Sequence, residues 1–197
     1  MLCGPMNEVA SGAFLAVLDA AEGYGYPRAP LRARVELRDE EMSDPQARGA
    51  WDQLVELCDG LEALGADASD FEAIGERAVW TAAAAPAVHL LLGARRDAGR
   101  ACWLAARSLA EVFSTLAFRR ARPDRIQVVV SVEILPGHRA APQLLWMLRG
   151  AAAVLPGLIG AQVVAGEVAP RRAVYTIRLP GPAALPAGAQ ARNRARA

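Results

Sequence analysis

The side chains able to move protons, bind metals or attack electrophiles are few in this chain, and they are scattered. Its only histidines are His89, inside the apolar run Val88-His-Leu-Leu-Leu92, and His138, in Pro136-Gly-His-Arg139. A neutral imidazole in an apolar segment could ligate a metal or haem iron, but neither histidine has a thiolate or carboxylate at ligand spacing, so a core or boundary role is expected for His89 and a loop role for His138. Cys3, Cys58 and Cys102 lack metal-type spacing. Cys58 and Cys102 fall on apolar helical stripes, where a thiol packs as a small hydrophobe and loses reactivity. Glu133 interrupts the strongest strand pattern, whose alternation turns it toward water.

The larger motifs of catalysis are missing. Gly23, Gly25, Gly93 and Gly99 lack the strand-to-helix setting and the lysine of a phosphate-binding loop. No G-x-S-x-G elbow occurs, and two histidines leave a hydrolytic triad few bases. No catalytic residue and no metal ligand is therefore expected, and the chain is read as a non-enzyme. The aromatic set is more informative. Trp51, Trp80, Trp103 and Trp146 fall on or beside four different helical patterns, and each indole N–H needs a partner if buried. Converging indoles over a sheet would line an apolar pocket, the common form of a small-molecule site. Trp80, His89, Trp103, Phe113 and Trp146 are the candidate ligand-binding residues.

The elements that must position them read as follows. Asn7 can cap a first helix carrying Phe14, Val17, Leu18 and Ala21, stopped by Gly23. Tyr24 to Pro30 is a turn-rich connector, and Arg38-Asp-Glu-Glu41 a solvated loop. Asp44-Pro45 predicts the start of a second helix with the stripe Trp51, Leu54, Val55, Cys58, Leu61 and Leu64, closed by Gly65. Ser69-Asp-Phe-Glu72 has the form of a capping box for a third helix reaching about Trp80. Val88–Leu92 fits a helical turn or a buried strand. Asp97 can cap a fourth helix bearing Ala101, Cys102, Ala105, Leu109, Val112 and Phe113, and Pro142 opens a fifth with Leu144, Leu145, Leu148 and Leu155. Alternation over 114–120, 126–135, 162–168 and 173–179 predicts four strands, the last two joined as a hairpin. About five helices packed on an antiparallel sheet of about four strands make an α+β domain over residues 1–180. The Pro/Gly/Arg-rich stretch 181–197 has the composition of a disordered tail or linker.

Composition sets further bounds. The chain has 197 residues, 53% hydrophobic content and a mean hydropathy of +0.16. That is a size for one domain, with alanine supplying much of the apolar excess. All 22 basic residues are arginine, the net charge is +1, and Arg192, Arg194 and Arg196 lie in the tail. No basic face for nucleic acid is expected. The longest uncharged stretch, Ala151 to Gly166, is broken by Pro156, Gly157 and Gly160, so no membrane partner is expected, and free cysteines suit a reducing cytoplasm.

In its arrangement of Asp44-Pro45 before Trp51-Asp-Gln-Leu54, Phe71-Glu-Ala-Ile-Gly75, Leu155-Pro-Gly-Leu-Ile-Gly160 and Pro170-Arg-Arg-Ala-Val-Tyr-Thr-Ile-Arg-Leu-Pro180, the chain resembles the N-terminal sensory domains placed ahead of histidine kinase or other output modules in bacterial signalling proteins. Its first half is also similar to the ligand-binding domain of AraC-type regulators, without a counterpart of their helix-turn-helix pair. Haem-based nitric oxide sensors have a comparable mix of helices and sheet, but their Tyr-x-Ser-x-Arg signature is absent; Tyr175-Thr-Ile-Arg178 has a different spacing, so haem is disfavoured and no cofactor is expected. The resemblance implies a regulatory input domain for signal transduction that binds a small apolar or aromatic ligand, or a partner protein, and works as a homodimer paired through an apolar helix face. The alternative is a protein-interaction or scaffolding domain with no small-molecule site.

Overall fold

The structure is a computed structural model that describes residues 8–81, 89, 98–154 and 158–180. Helices come first: α1 (Ser11–Tyr24), α2 (Arg28–Arg32), α3 (Asp39–Ser43), α4 (Trp51–Ala63), α5 (Ala68–Ala78) and α6 (Ala98–Val112). Two short strands, β1 (Val9–Ala10) and β2 (Arg48–Gly49), pair antiparallel among them. Then follow β3 (Leu116–Ala121), β4 (Gln127–Ile134), α7 (Pro142–Ala153), β5 (Gln162–Ala169) and β6 (Arg172–Arg178). The last four strands form one antiparallel sheet in the order β3-β4-β6-β5. The second hairpin therefore inserts β6 beside β4, and α7 crosses the sheet to reach the outer strand β5. The fold is α+β, as expected. The predicted strands lie within a residue or two of the observed ones. No helix among the described residues is long and apolar enough to cross a membrane.

Alternation along β4 puts Val128, Val130, Val132 and Ile134 on the buried face, and β6 adds Ala173, Tyr175 and Ile177. These join Phe14, Leu18, Trp51, Leu54, Leu61, Phe71, Ile74 and Leu145 in one continuous buried cluster. Helices and sheet thus share an interior. The Tyr175 hydroxyl, taken into that interior, donates to the Leu145 carbonyl at 2.6 Å, and burial pushes its pKa up. Burial likewise pushes the Cys58 thiol up to about 12.

Several local signals were overridden. The helix predicted from Asp44-Pro45 begins at Trp51 instead, because Arg48–Gly49 is drawn into the ladder with Val9–Ala10. The Glu8 carboxylate then accepts the Trp51 backbone N–H at 3.2 Å, an anionic cap supplied from outside the helix. The capping box sits at Asp67 and Asp70 and not at Ser69 and Glu72: Asp67 Oδ1 accepts from the Ser69 and Asp70 amides, and Asp70 Oδ2 accepts from Asp67. Glu72 is thereby left for Arg149, 3.2 Å away on α7. The stretch read as a solvated acidic loop contains α3, pinned by the buried Met42. The connector before it holds α2, whose Leu31 is fully buried. Helix α1 runs past Gly23 and ends at Gly25, which takes the left-handed conformation at φ 118°. Asn7, Asp97 and all of Val88–Leu92 except His89 lie outside the described residues, as does 181–197.

The tightest packing is between α5 and α7. A Cβ added at Gly75 would run into the carbonyl of Met147, and one added at Gly150 into the carbonyl of Glu72. Each helix lays a bare glycine against the other's backbone, with no side chain between them. Gly75→Ala or Gly150→Ala should therefore lower unfolding stability by about 3 kcal/mol or more, despite alanine's better helix propensity. Ala73→Gly, on the same helix away from the crossing, should cost only about 1 kcal/mol. Urea titration followed by circular dichroism separates the two outcomes.

Asp70 gives a pH handle on the same helix. Its carboxyl is held below the usual range by the Asp67 amide and then by the Tyr26 hydroxyl, which donates at 2.9 Å. A lowered folded-state pKa contributes stability above the unfolded value, about 3.9, that is lost as pH falls through the folded value. Asp70→Asn should flatten the fall of Tm on acidification below about pH 4, as scanning calorimetry across that range would show.

Candidate functional site

The five expected ligand-binding residues differ in burial and setting. Trp80 lies two residues beyond the end of α5 and is 60% exposed. Trp103 is 44% exposed. It shares the solvent stripe of α6 with Arg107, Ala110 and Glu111, and the Arg107 guanidinium sits 5.5 Å from its ring centroid. His89 is exposed. Phe113 is buried at the junction of α6 and β3, where it bridges to Val9. Trp146 lines a cleft. Trp51 is a core residue, its indole N–H donating to the Arg139 carbonyl at 2.9 Å. Helical periodicity fixes which residues share a stripe, but it leaves open whether a given stripe is covered.

The cleft lies where the end of α4, the start of α5 and the first turns of α7 meet, and it measures about 200 Å³. Gly65, at φ 97°, turns the chain after α4. Asp67 then starts α5, so Phe71, one turn in, faces the cleft. Pro142, in the first turn of α7, sets Gln143 and Trp146 three residues apart on one helical face. The Trp146 ring is braced by the Arg149 guanidinium, 5.4 Å from its centroid, and Glu72 holds that guanidinium in turn. Phe71 is buried, giving the cleft an apolar wall opposite the indole.

One polar atom in the cleft is unmatched. The Gln143 Nε2 donates to Glu62 Oε2 at 2.8 Å, which fixes the amide: rotating it would set the carbonyl oxygen against a carboxylate. Its Oε1 is consequently buried with no hydrogen-bond partner among the described residues. An orphaned buried acceptor costs about 1–3 kcal/mol, which a donor entering the cleft would recover. Gln53 Oε1 and Thr115 Oγ1 share that condition but do not line the cleft. Glu62 and Asp67 make the rim acidic, so the arrangement suits a small planar apolar body carrying an N–H or O–H donor. Neither Phe71 nor Gln143 was singled out from sequence, since each reads as an ordinary helical position. The only available signal was Pro142-Gln143 with Trp146 one turn later.

A second polar cluster ties the ends of the domain together. His138 Nδ1 stands 3.6 Å from Glu8 Oε1, and the His138 ring meets Trp51 edge-on with centroids 6.4 Å apart. Arg171 donates to the carbonyls of His138, Ile134 and Leu135. The Glu8 backbone carbonyl accepts from the amide and hydroxyl of Ser114. Glu8 is thereby joined to Ser114 and His138, each more than 100 residues away in sequence, which no motif could have announced. Among the described residues no group of three or more His, Cys, Asp or Glu side chains could hold a metal ion. Removing one bond of this cluster tests its weight. Trp51→Phe should leave the Arg139 carbonyl unpaired and lower stability by about 1–3 kcal/mol in chemical denaturation.

No protein-family model matches the chain, and no curated protein matches it. A solved structure described as "Modulating Heme Redox Potential Through Protein-Induced Porphyrin Distortion" is similar over 84% of this chain and 88% of that one, at 6% identity and a TM-score of 0.42.

Proposed function

We propose that the chain is a regulatory input domain whose ligand is a small apolar or aromatic molecule with one hydrogen-bond donor, held between Phe71 and Trp146. The observation that carries this reading is the unpaired Gln143 Oε1, buried at the edge of a cleft with an indole wall. Three helices contribute to that cleft. An occupant would bind the α4–α5 turn and the start of α7 at once, and would bias whatever arrangement of those helices it contacts more favourably. A cleft of about 200 Å³ is below the usual size for a drug-like ligand, which points to a single-ring or fused-ring compound. The buried thiol of Cys58 suits a reducing compartment, and we place the domain in the cytoplasm. The reading calls for no cofactor.

A second reading, an interaction domain without a small-molecule site, draws on the outward indoles of Trp80 and Trp103, since exposed tryptophans are common anchors of protein interfaces. Titrating the protein with indole, followed by NMR, separates the two. The first reading expects shifts at the Gln143 side-chain amide and the Trp146 indole N–H. It also expects weakening by about tenfold in Gln143→Leu and with N-methylindole, which has no donor. Equal binding of indole and N-methylindole, or no response in the cleft, would favour the interaction domain.

A further inference from the structure

The sheet has a second face, opposite the buried one, that no described element covers. Across its middle row the strand register sets Arg119, Ser131, Val174 and Glu167 side by side from β3 to β5. The row nearer one end places Glu133 of β4 directly beside Arg172 of β6, and the row on the other side places Val129 beside Thr176. Arg119, Glu133, Glu167 and Arg172 are all exposed. None of the four side chains makes a hydrogen bond or ion pair among the described residues. The centre of the face is apolar or small, and these four charges stand around it, with Arg178 in the end row between Gln127 and Gln162.

The order of those charges is self-complementary. Consider a twofold axis lying against this face, parallel to the strands and midway between β4 and β6. It carries β5 of a second copy over β3 of the first, and β6 over β4. Arg119 then meets the second copy's Glu167, and Glu133 meets its Arg172. By symmetry each pairing occurs twice. Val174 falls over Ser131 and Thr176 over Val129, so no charge is placed against the apolar centre. Sheets that pack face to face keep their strands nearly aligned, as this operation requires. A closed twofold contact also leaves no second patch free to polymerise.

We propose that the outer sheet face, and not a helix face, is the site where a second copy of this chain docks, as a twofold dimer in register by Arg119 to Glu167 and Glu133 to Arg172. The size of the face sets the strength. Four strands about 4.8 Å apart and seven residues at about 3.3 Å each span roughly 19 by 23 Å. That is about half the surface each partner buries in a standard interface. The dimer is therefore weak, reversible and sensitive to salt.

Analytical ultracentrifugation of the whole chain, from low micromolar to about 1 mM, tests this at low and high ionic strength. The expected result is a dimer fraction that rises with concentration and falls with salt. Arg119→Glu alone and Glu167→Arg alone each set like charges against each other twice, and should raise the dissociation constant about tenfold or more. An equimolar mixture of these two variants restores an opposite pair at both contacts and should form heterodimers, as should Glu133→Arg mixed with Arg172→Glu. Both sites are exposed, so the variants should keep the native circular dichroism spectrum. A wild-type monomer at every concentration, single variants that dimerise as well as wild type, or mixtures that stay monomeric would each overturn the proposal.

Discussion

The backbone contact at Gly75 and Gly150 sets the distances on which the rest of the structure depends. Two helices normally stand off by the thickness of their side chains, about 8–10 Å between axes. Here each helix offers a glycine to the other's carbonyl, so α5 and α7 meet closer than any other side chain would allow. Helix α7 also lies against β5 and β6. The crossing therefore carries the position of α5, and through it the helical half, onto the sheet. It also brings the start of α7 beside the start of α5, which makes the Phe71–Trp146 cleft.

The sheet answers that constraint with one buried and one open face. Because β6 is inserted between β4 and β5, two central strands supply most of the buried valine, isoleucine and tyrosine, while β3 and β5 close the edges. Among the described residues the helical layer covers the inner face only. What remains outside is small and polar at its centre and charged around it, which an antiparallel sheet tolerates in water.

Polar bonds between distant segments then choose one arrangement from those the apolar pattern allows. Glu8 caps α4 through the Trp51 amide, faces His138 and, through its carbonyl, receives Ser114. Arg171 closes the β4–α7 loop by taking three of its carbonyls. Each satisfies groups that burial would otherwise leave unpaired, so a slip of any one segment costs several bonds at once. The same logic isolates Gln143, whose amide is committed to Glu62 on one side and unmet on the other.

By itself the amino-acid sequence determined the order of the long helices and of the four long strands. Periods of 3.6 and 2 residues follow directly from side-chain direction, so α4, α6, α7 and the four long strands were legible with errors of a few residues. The stripes of Leu54, Val55, Cys58 and Leu61, and of Val128, Val130 and Val132, were legible for the same reason. Tertiary structure decided what periodicity cannot encode. Asp44-Pro45 is a sound local start signal, yet strand pairing with Val9–Ala10 and a carboxylate from Glu8 moved the helix start to Trp51. Four tryptophans on four helices looked alike in sequence. Whether each was covered depended on neighbours far along the chain, so Trp51 is buried, Trp146 borders a cleft, and Trp80 and Trp103 face water. A stripe is a property of one helix, but a pocket belongs to the elements that meet around it, and their meeting is set by long-range contact.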